Sequence, residues 1–184
     1  GDERPIAVAE SIVSELSTLQ AKANLKDEAG LNGFEALVFQ TCERLGWYYG
    51  GKSEYSKAAE TWLKVEALLP EQSRKKWFVP DAQWWAAQTF WHAGDKIKAQ
   101  QLYDQVPLYG DNFFSGLAME DQAFFAYREG NTAGARKYAQ KAIAYFEAAD
   151  DPNRVKGYKT QVERLLSYLE GWQKQPVQIL PAQI

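Results

Sequence analysis

The 184-residue chain has 24% charged residues, a net charge of −3 and one cysteine. That length is typical of one domain that buries a core without disulfides or metals, and the balanced charge excludes the basic field used to bind nucleic acid or anionic membranes. Cys42 has no partner for an intrachain disulfide or a zinc site, and no apolar run reaches the roughly 18 to 20 residues of a membrane span.

The predicted elements are all helices. Ala, Leu, Glu, Gln and Lys dominate long segments that Gly, Pro and Asn-Gly interrupt, and no segment sustains the two-residue alternation of a strand. In chain order we expect helices at 5–23, 33–49, 54–69, 80–93, 95–106, 115–129, 132–148 and 152–171.

Turn and capping residues divide these helices into pairs. Ser53 and Asp95 each follow a Gly-containing turn and are predicted to cap the next helix, while Pro70 and Pro80 fall where a helix stops or starts. The second helix of each pair has a small residue at intervals of roughly 40 residues, at Ala58, Ala99 and Ala135. The pairs are therefore interpreted as repeats.

The first pair resembles the tetratricopeptide repeat, on the spacing of Leu45, Gly46, Tyr49, Tyr55, Ala58, Trp62 and Pro70. The second pair keeps Ala87, Phe90, Gly94, Ala99 and Tyr103, and the third keeps Ala123, Gly130, Ala135 and Ala142. The resemblance covers about residues 38–148. It implies a right-handed superhelical array of antiparallel helix hairpins, an α-solenoid of about eight helices.

On this basis residues 1–172 are predicted to form a single helical domain. Its repeat units are 38–70, 80–111 and 116–148, and the flanking helices are 5–23 and 152–171. Residues 173–184 are predicted to form an extended tail, because two prolines interrupt an apolar stretch. Burial of the tail on its own chain and self-association through it are both left open.

The stretch GWYYGGKS at residues 46–53 matches the phosphate-binding pattern G-x-x-x-x-G-K-[ST]. A working phosphate loop needs a strand before it and a helix after it. The preceding residues instead have helical spacing, with Val38, Cys42, Leu45 and Tyr49 on one side. The stretch is therefore interpreted as a helix end followed by a turn, and no cofactor is expected.

Catalytic chemistry has little support in the sequence. His92 is the only histidine, and no nucleophile stands in a recognisable setting beside it. Acidic pairs such as Glu120-Asp121 are assigned to helix starts or linkers, where carboxylates interact favourably with the helix dipole. We expect a protein that is not an enzyme.

The resemblance also implies where a partner binds, because the first helices of such repeats line a concave groove. It points to Gln40, Glu43 and Trp47 in the first unit, to Asp81, Trp84, Gln88, Trp91 and His92 in the second, and to Glu120, Phe124, Tyr127 and Arg128 in the third. Independently, helical periodicity places Trp84, Gln88 and Trp91 on one face and Ala86, Ala87 and Phe90 on another. Whether these tryptophans pack in the core or form an exposed anchor for a partner stays open.

We therefore expect a scaffold that binds a protein or peptide through an aromatic groove. The first alternative is an accessory domain of a larger protein, which the absence of an initial Met favours. The second alternative is a nucleotide-binding enzyme that uses residues 46–53. The compartment is left open.

Overall fold

The computed structural model describes residues 4–22, 27–74 and 76–173, and within them the chain forms eight α-helices and no strand. The helices are α1 Arg4–Lys22, α2 Glu28–Gly51, α3 Tyr55–Leu68, α4 Phe78–His92, α5 Lys96–Gln105, α6 Asn112–Arg128, α7 Thr132–Glu147 and α8 Pro152–Gln173. Two short 3-10 helices, Glu71–Ser73 and Val106–Tyr109, follow α3 and α5. The prediction of an all-α chain with about eight helices is confirmed.

Side-chain caps define several helix starts. The carboxylates of Asp27 and Asp95 accept hydrogen bonds from the amides of Ala29 and Lys98, at 3.2 and 3.1 Å, and so satisfy amides that the first helical turn leaves unbonded. The Asp27 cap explains why α2 begins earlier than the predicted residue 33. The prediction that Asp95 caps α5 is confirmed.

The predicted cap at Ser53 is wrong. Ser53 has a φ of 62°, so it lies in the left-handed region inside the turn, whereas a capping residue has an extended backbone. Glu54 holds the cap position of α3 and makes no side-chain hydrogen bond there.

The chain divides into two compact units, Gly1–Ser115 and Gly116–Ile184, with the division inside α6. In the first unit each helix packs on the next one in chain order, from α1 on α2 to α4 on α5. α2 and α3 approach closely at Gly46, where an added Cβ atom would lie 2.5 Å from Trp62 Cε2. The indole of Trp62 thus fills the space that glycine leaves.

A similar contact between a glycine and a large aromatic ring joins α6 and α7 in the second unit. A Cβ atom at Gly116 would lie 2.3 Å from Phe146 Cε1, and Phe146 is buried. α7 packs on α8, with Ala139, Ala142 and Val162 in the core. The prediction of a single domain over 1–172 stays a prediction, and the predicted tail, apart from Gln173, lies outside the described residues.

Candidate functional site

An exposed tryptophan on α2 is the first feature of the candidate site. Trp47 is 50% exposed, although its ring meets two other indoles edge-on. The ring centroids lie 5.8 Å from Trp62 on α3 and 4.4 Å from Trp85 on α4. Trp62 itself packs tightly against Gly46, so helix packing fixes the position of the indole that Trp47 contacts.

Two half-buried tryptophans on α4 continue the same cluster. Trp84 and Trp85 have ring centroids 4.5 Å apart, and Trp84 also lies 6.4 Å from Phe114. Ala86, Ala87 and Phe90, which helical spacing places on another face of α4, are buried in the core. We call Trp47, Trp84 and Trp85 the tryptophan surface.

The predicted groove residues of the first two repeat units all lie in the first compact unit. On α2, Glu43 is half-buried and Gln40 is exposed. On α4, Gln88 and Trp91 are half-buried and His92 is exposed. The structure therefore brings Trp47 and Trp84 together through Trp85. Trp91 instead lies under the Lys96 ammonium, 4.9 Å from the ring centroid, and His92 lies 6.1 Å from the ring of Tyr55.

The third predicted set lies on α6, in the second unit. Phe124 and Tyr127 are half-buried and Arg128 is exposed, with the Tyr127 ring 5.7 Å from that of Tyr168 on α8. Glu120 is only 6% exposed. These positions are described for this unit alone, and their role in binding stays a prediction.

The environment of Glu120 differs from the one predicted. This residue lies in the middle of α6, and not at a helix start or in a linker. Burial, together with the nearby charge of Asp121, raises the pKa of its carboxyl to about 8. The acid is therefore largely neutral at pH 7, because desolvation penalises its ionised form.

Sequence reasoning missed two aromatic residues. Trp85 is the link between Trp47 and Trp84, but helical periodicity places it about 100° away from Trp84, so it was not assigned to the binding face. Trp77 is 51% exposed and packs edge-on against Phe39 at 5.2 Å. Trp77 was missed because the predicted helix begins at Pro80, which places Trp77 in a linker.

A groove of about 550 Å³ lies between α1, α2 and α3. On its wall the Tyr49 hydroxyl donates to Glu10 Oε1, and the Lys57 ammonium bonds the same oxygen at 3.3 Å while lying 3.9 Å from the Tyr49 ring centroid. The hydrogen bond from Tyr49, followed by that from Lys57, lowers the pKa of Glu10. This network joins three helices by charge-assisted hydrogen bonds.

The residues of the phosphate-loop pattern lie mostly within a helix. Gly46–Gly51 form the last turns of α2, and Lys52 N bonds back to Tyr48 and Tyr49 carbonyls. Backbone amides that bond within a helix are not available to surround a phosphate. The stretch is thus a helix end followed by a turn, as interpreted from the sequence.

Other chemical groups are sparse in the described part of the chain. It contains no cluster of three His, Cys, Asp or Glu side chains suited to a metal ion, and none of its helices is long and apolar enough to cross a membrane. Burial raises the pKa of the Cys42 thiol to about 12. A thiol that stays protonated is a poor nucleophile.

Comparison of this chain with protein-family models, curated proteins and solved structures found no match.

Proposed function

We propose that this chain is a non-enzymatic scaffold that binds a protein or peptide partner through the tryptophan surface. The proposal rests on the exposure of Trp47. Half of this residue is in solvent, while edge-on contacts with Trp62 and Trp85 fix the position of its ring. A rigid exposed indole supplies apolar contact area at little cost in conformational entropy, and tryptophan is among the residues that most often dominate interfaces.

The side chains around the tryptophans favour a peptide with apolar anchors. Glu43 and Gln40 lie about one turn and two turns before Trp47 on α2, respectively, and Gln88 lies about one turn after Trp84 on α4. Amide and carboxylate groups at these positions bond backbone or basic groups of a ligand. They do not supply the cationic clamp that an acidic tail needs.

We further propose that α2–α3, α4–α5 and α6–α7 are repeat units of the tetratricopeptide type. Two features support this proposal. Ala58, Ala99 and Ala135, the small residues of the second helices, are completely buried. Glycine also faces a large aromatic ring in both the first and the third pair.

The test is selection of linear peptides from a display library on the whole chain, followed by affinity measurement for the selected peptides. Trp47→Ala removes the central anchor, and Trp77→Ala is a matched control because Trp77 is equally exposed but lies on a different aromatic cluster. A central anchor is worth about 2 kcal/mol or more, so we expect Trp47→Ala to weaken binding by about 30-fold.

The control variant should bind as the wild type does, and circular dichroism should show that both variants remain folded. The proposal fails if no peptide is enriched. It also fails if the selected peptides bind Trp47→Ala and the wild type equally well.

A further inference from the structure

A second cavity, of about 360 Å³, lies beside α4 in the first compact unit and is separate from the tryptophan surface. Three apolar residues line it: Leu63 and Ala67 from α3 and Leu102 from α5. The four polar residues of the lining are Glu66 from α3, Arg74, Gln83 from α4 and Gln105 from α5. That volume lies at the lower end of the range for small-molecule sites, so it suits a ligand of a few heavy atoms.

The Glu66 carboxylate is held in place at the edge of this cavity. Gln83 Nε2 and the Tyr109 hydroxyl both donate to Glu66 Oε2, at 2.6 and 2.8 Å. Burial, followed by the hydrogen bond to Glu66, raises the pKa of Tyr109, so the phenol remains a donor. These two bonds use one carboxylate oxygen and fix the orientation of the group.

Gln83 is the least expected polar residue of the cavity. The residue is 3% exposed, and its buried Oε1 atom has no hydrogen-bond partner within the described part of the chain. Because Nε2 donates to Glu66, the amide orientation is set and Oε1 is the acceptor. A buried acceptor without a partner costs about 1 to 3 kcal/mol, so the hydrogen bond by which Gln83 orients Glu66 is kept at a cost in stability.

The charges of the cavity complement a ligand that carries both signs. Neither Glu66 nor Arg74 forms an ion pair with a described residue, although both line the same space. Arg74 is exposed, so its guanidinium is accessible at the rim and offers the planar donor pair that carboxylates prefer.

We propose that this cavity binds a free amino acid. Its ammonium group bonds the Glu66 carboxylate, which Gln83 and Tyr109 hold in place, its carboxylate bonds the Arg74 guanidinium, and its side chain packs on Leu63 and Leu102. This site does not depend on the peptide-binding proposal, because none of its residues belongs to the tryptophan surface.

The first experiment measures the thermal unfolding midpoint of the whole chain with each standard free amino acid at millimolar concentration. Binding to the folded state raises the midpoint. The best ligand is then titrated by calorimetry beside two blocked forms: its methyl ester, which lacks the carboxylate, and its N-acetyl derivative, which lacks the ammonium. We expect the free amino acid to bind at least tenfold more tightly than either blocked form.

Arg74→Ala tests the assignment of the carboxylate partner, and Arg44→Ala is the control, since Arg44 is an exposed arginine on α2 outside the cavity. We expect Arg74→Ala to weaken binding at least tenfold and Arg44→Ala to leave it unchanged, with equal unfolding midpoints in the absence of ligand.

Three results would overturn the proposal. They are no increase in the midpoint with any free amino acid, equal binding of a blocked form, and full affinity of Arg74→Ala. None of them bears on peptide selection by the tryptophan surface.

Discussion

Gly46→Ala tests whether helix packing at Gly46 supports the tryptophan surface. The new Cβ atom would lie 2.5 Å from Trp62 Cε2 and 2.6 Å from Trp62 Nε1, whereas ordinary contacts begin near 3.4 Å. The buried indole, or the backbone of α2, must therefore move by about 0.9 Å, and overpacking of this kind typically costs about 1 to 3 kcal/mol.

Helix propensity acts in the opposite direction. Alanine is better than glycine in a helix interior by about 0.5 to 1 kcal/mol. The expected net result is a loss of about 1 to 2 kcal/mol in the free energy of unfolding. Gly33→Ala is the matched control on the same helix, because no atom lies within 4 Å of its added Cβ atom. That variant should gain about 0.5 to 1 kcal/mol.

Urea unfolding followed by tryptophan fluorescence is the appropriate assay, because six of the seven tryptophans lie in the first compact unit. The two variants should differ by about 2 kcal/mol, with opposite signs relative to the wild type. Equal stabilisation by both substitutions would refute the reasoning. It would mean that Trp62 has room to move and that Gly46 is not a packing constraint.

Two further predictions concern titratable groups. The folded chain keeps Glu120 neutral up to a pKa of about 8, whereas the unfolded chain ionises it from about 4.5, so wild-type stability should fall by about 1.4 kcal/mol per pH unit between these values. Glu120→Gln should remove this slope in urea titrations at a series of pH values, and parallel curves for the two proteins would contradict the assignment. Tyr49→Phe should reduce hydrogen-exchange protection of α1, since it removes the hydroxyl that donates to Glu10. Because the pKa of Glu10 is lowered, its carboxylate stays ionised below its ordinary pKa, so the wild-type contact should persist as the pH falls through that value and weaken only at the lowered pKa. Unchanged protection in the variant would argue against the contact.

The positions of the helices could be predicted because their signals are local. Apolar spacing, the Asp95 cap and the turns with Gly94 and Gly130 act within a few residues, and both glycines have the positive φ that such turns require. The errors also have local causes. Ser53 and Glu54 compete for one cap position, and the turn geometry selects Glu54.

The candidate sites depend on distances that sequence spacing does not contain. Periodicity separated Ala86, Ala87 and Phe90 from Trp84 on α4, and the resemblance placed Trp47 in the groove, but neither gives the depth at which Trp47 and Trp62 are buried. Their exposure depends on which indole occupies the space beside Gly46. The link through Trp85 likewise requires the packing of α2 on α4.

The sequence by itself determined the all-helical class and the helix boundaries to within a few residues, because both follow from backbone preferences and side-chain pattern along a short segment. Only the tertiary structure decided that Glu120 is buried, that Trp47 is exposed, and that Glu66, Arg74 and Gln83 line one cavity. The physical reason is that burial and the meeting of polar groups depend on neighbours contributed by other helices.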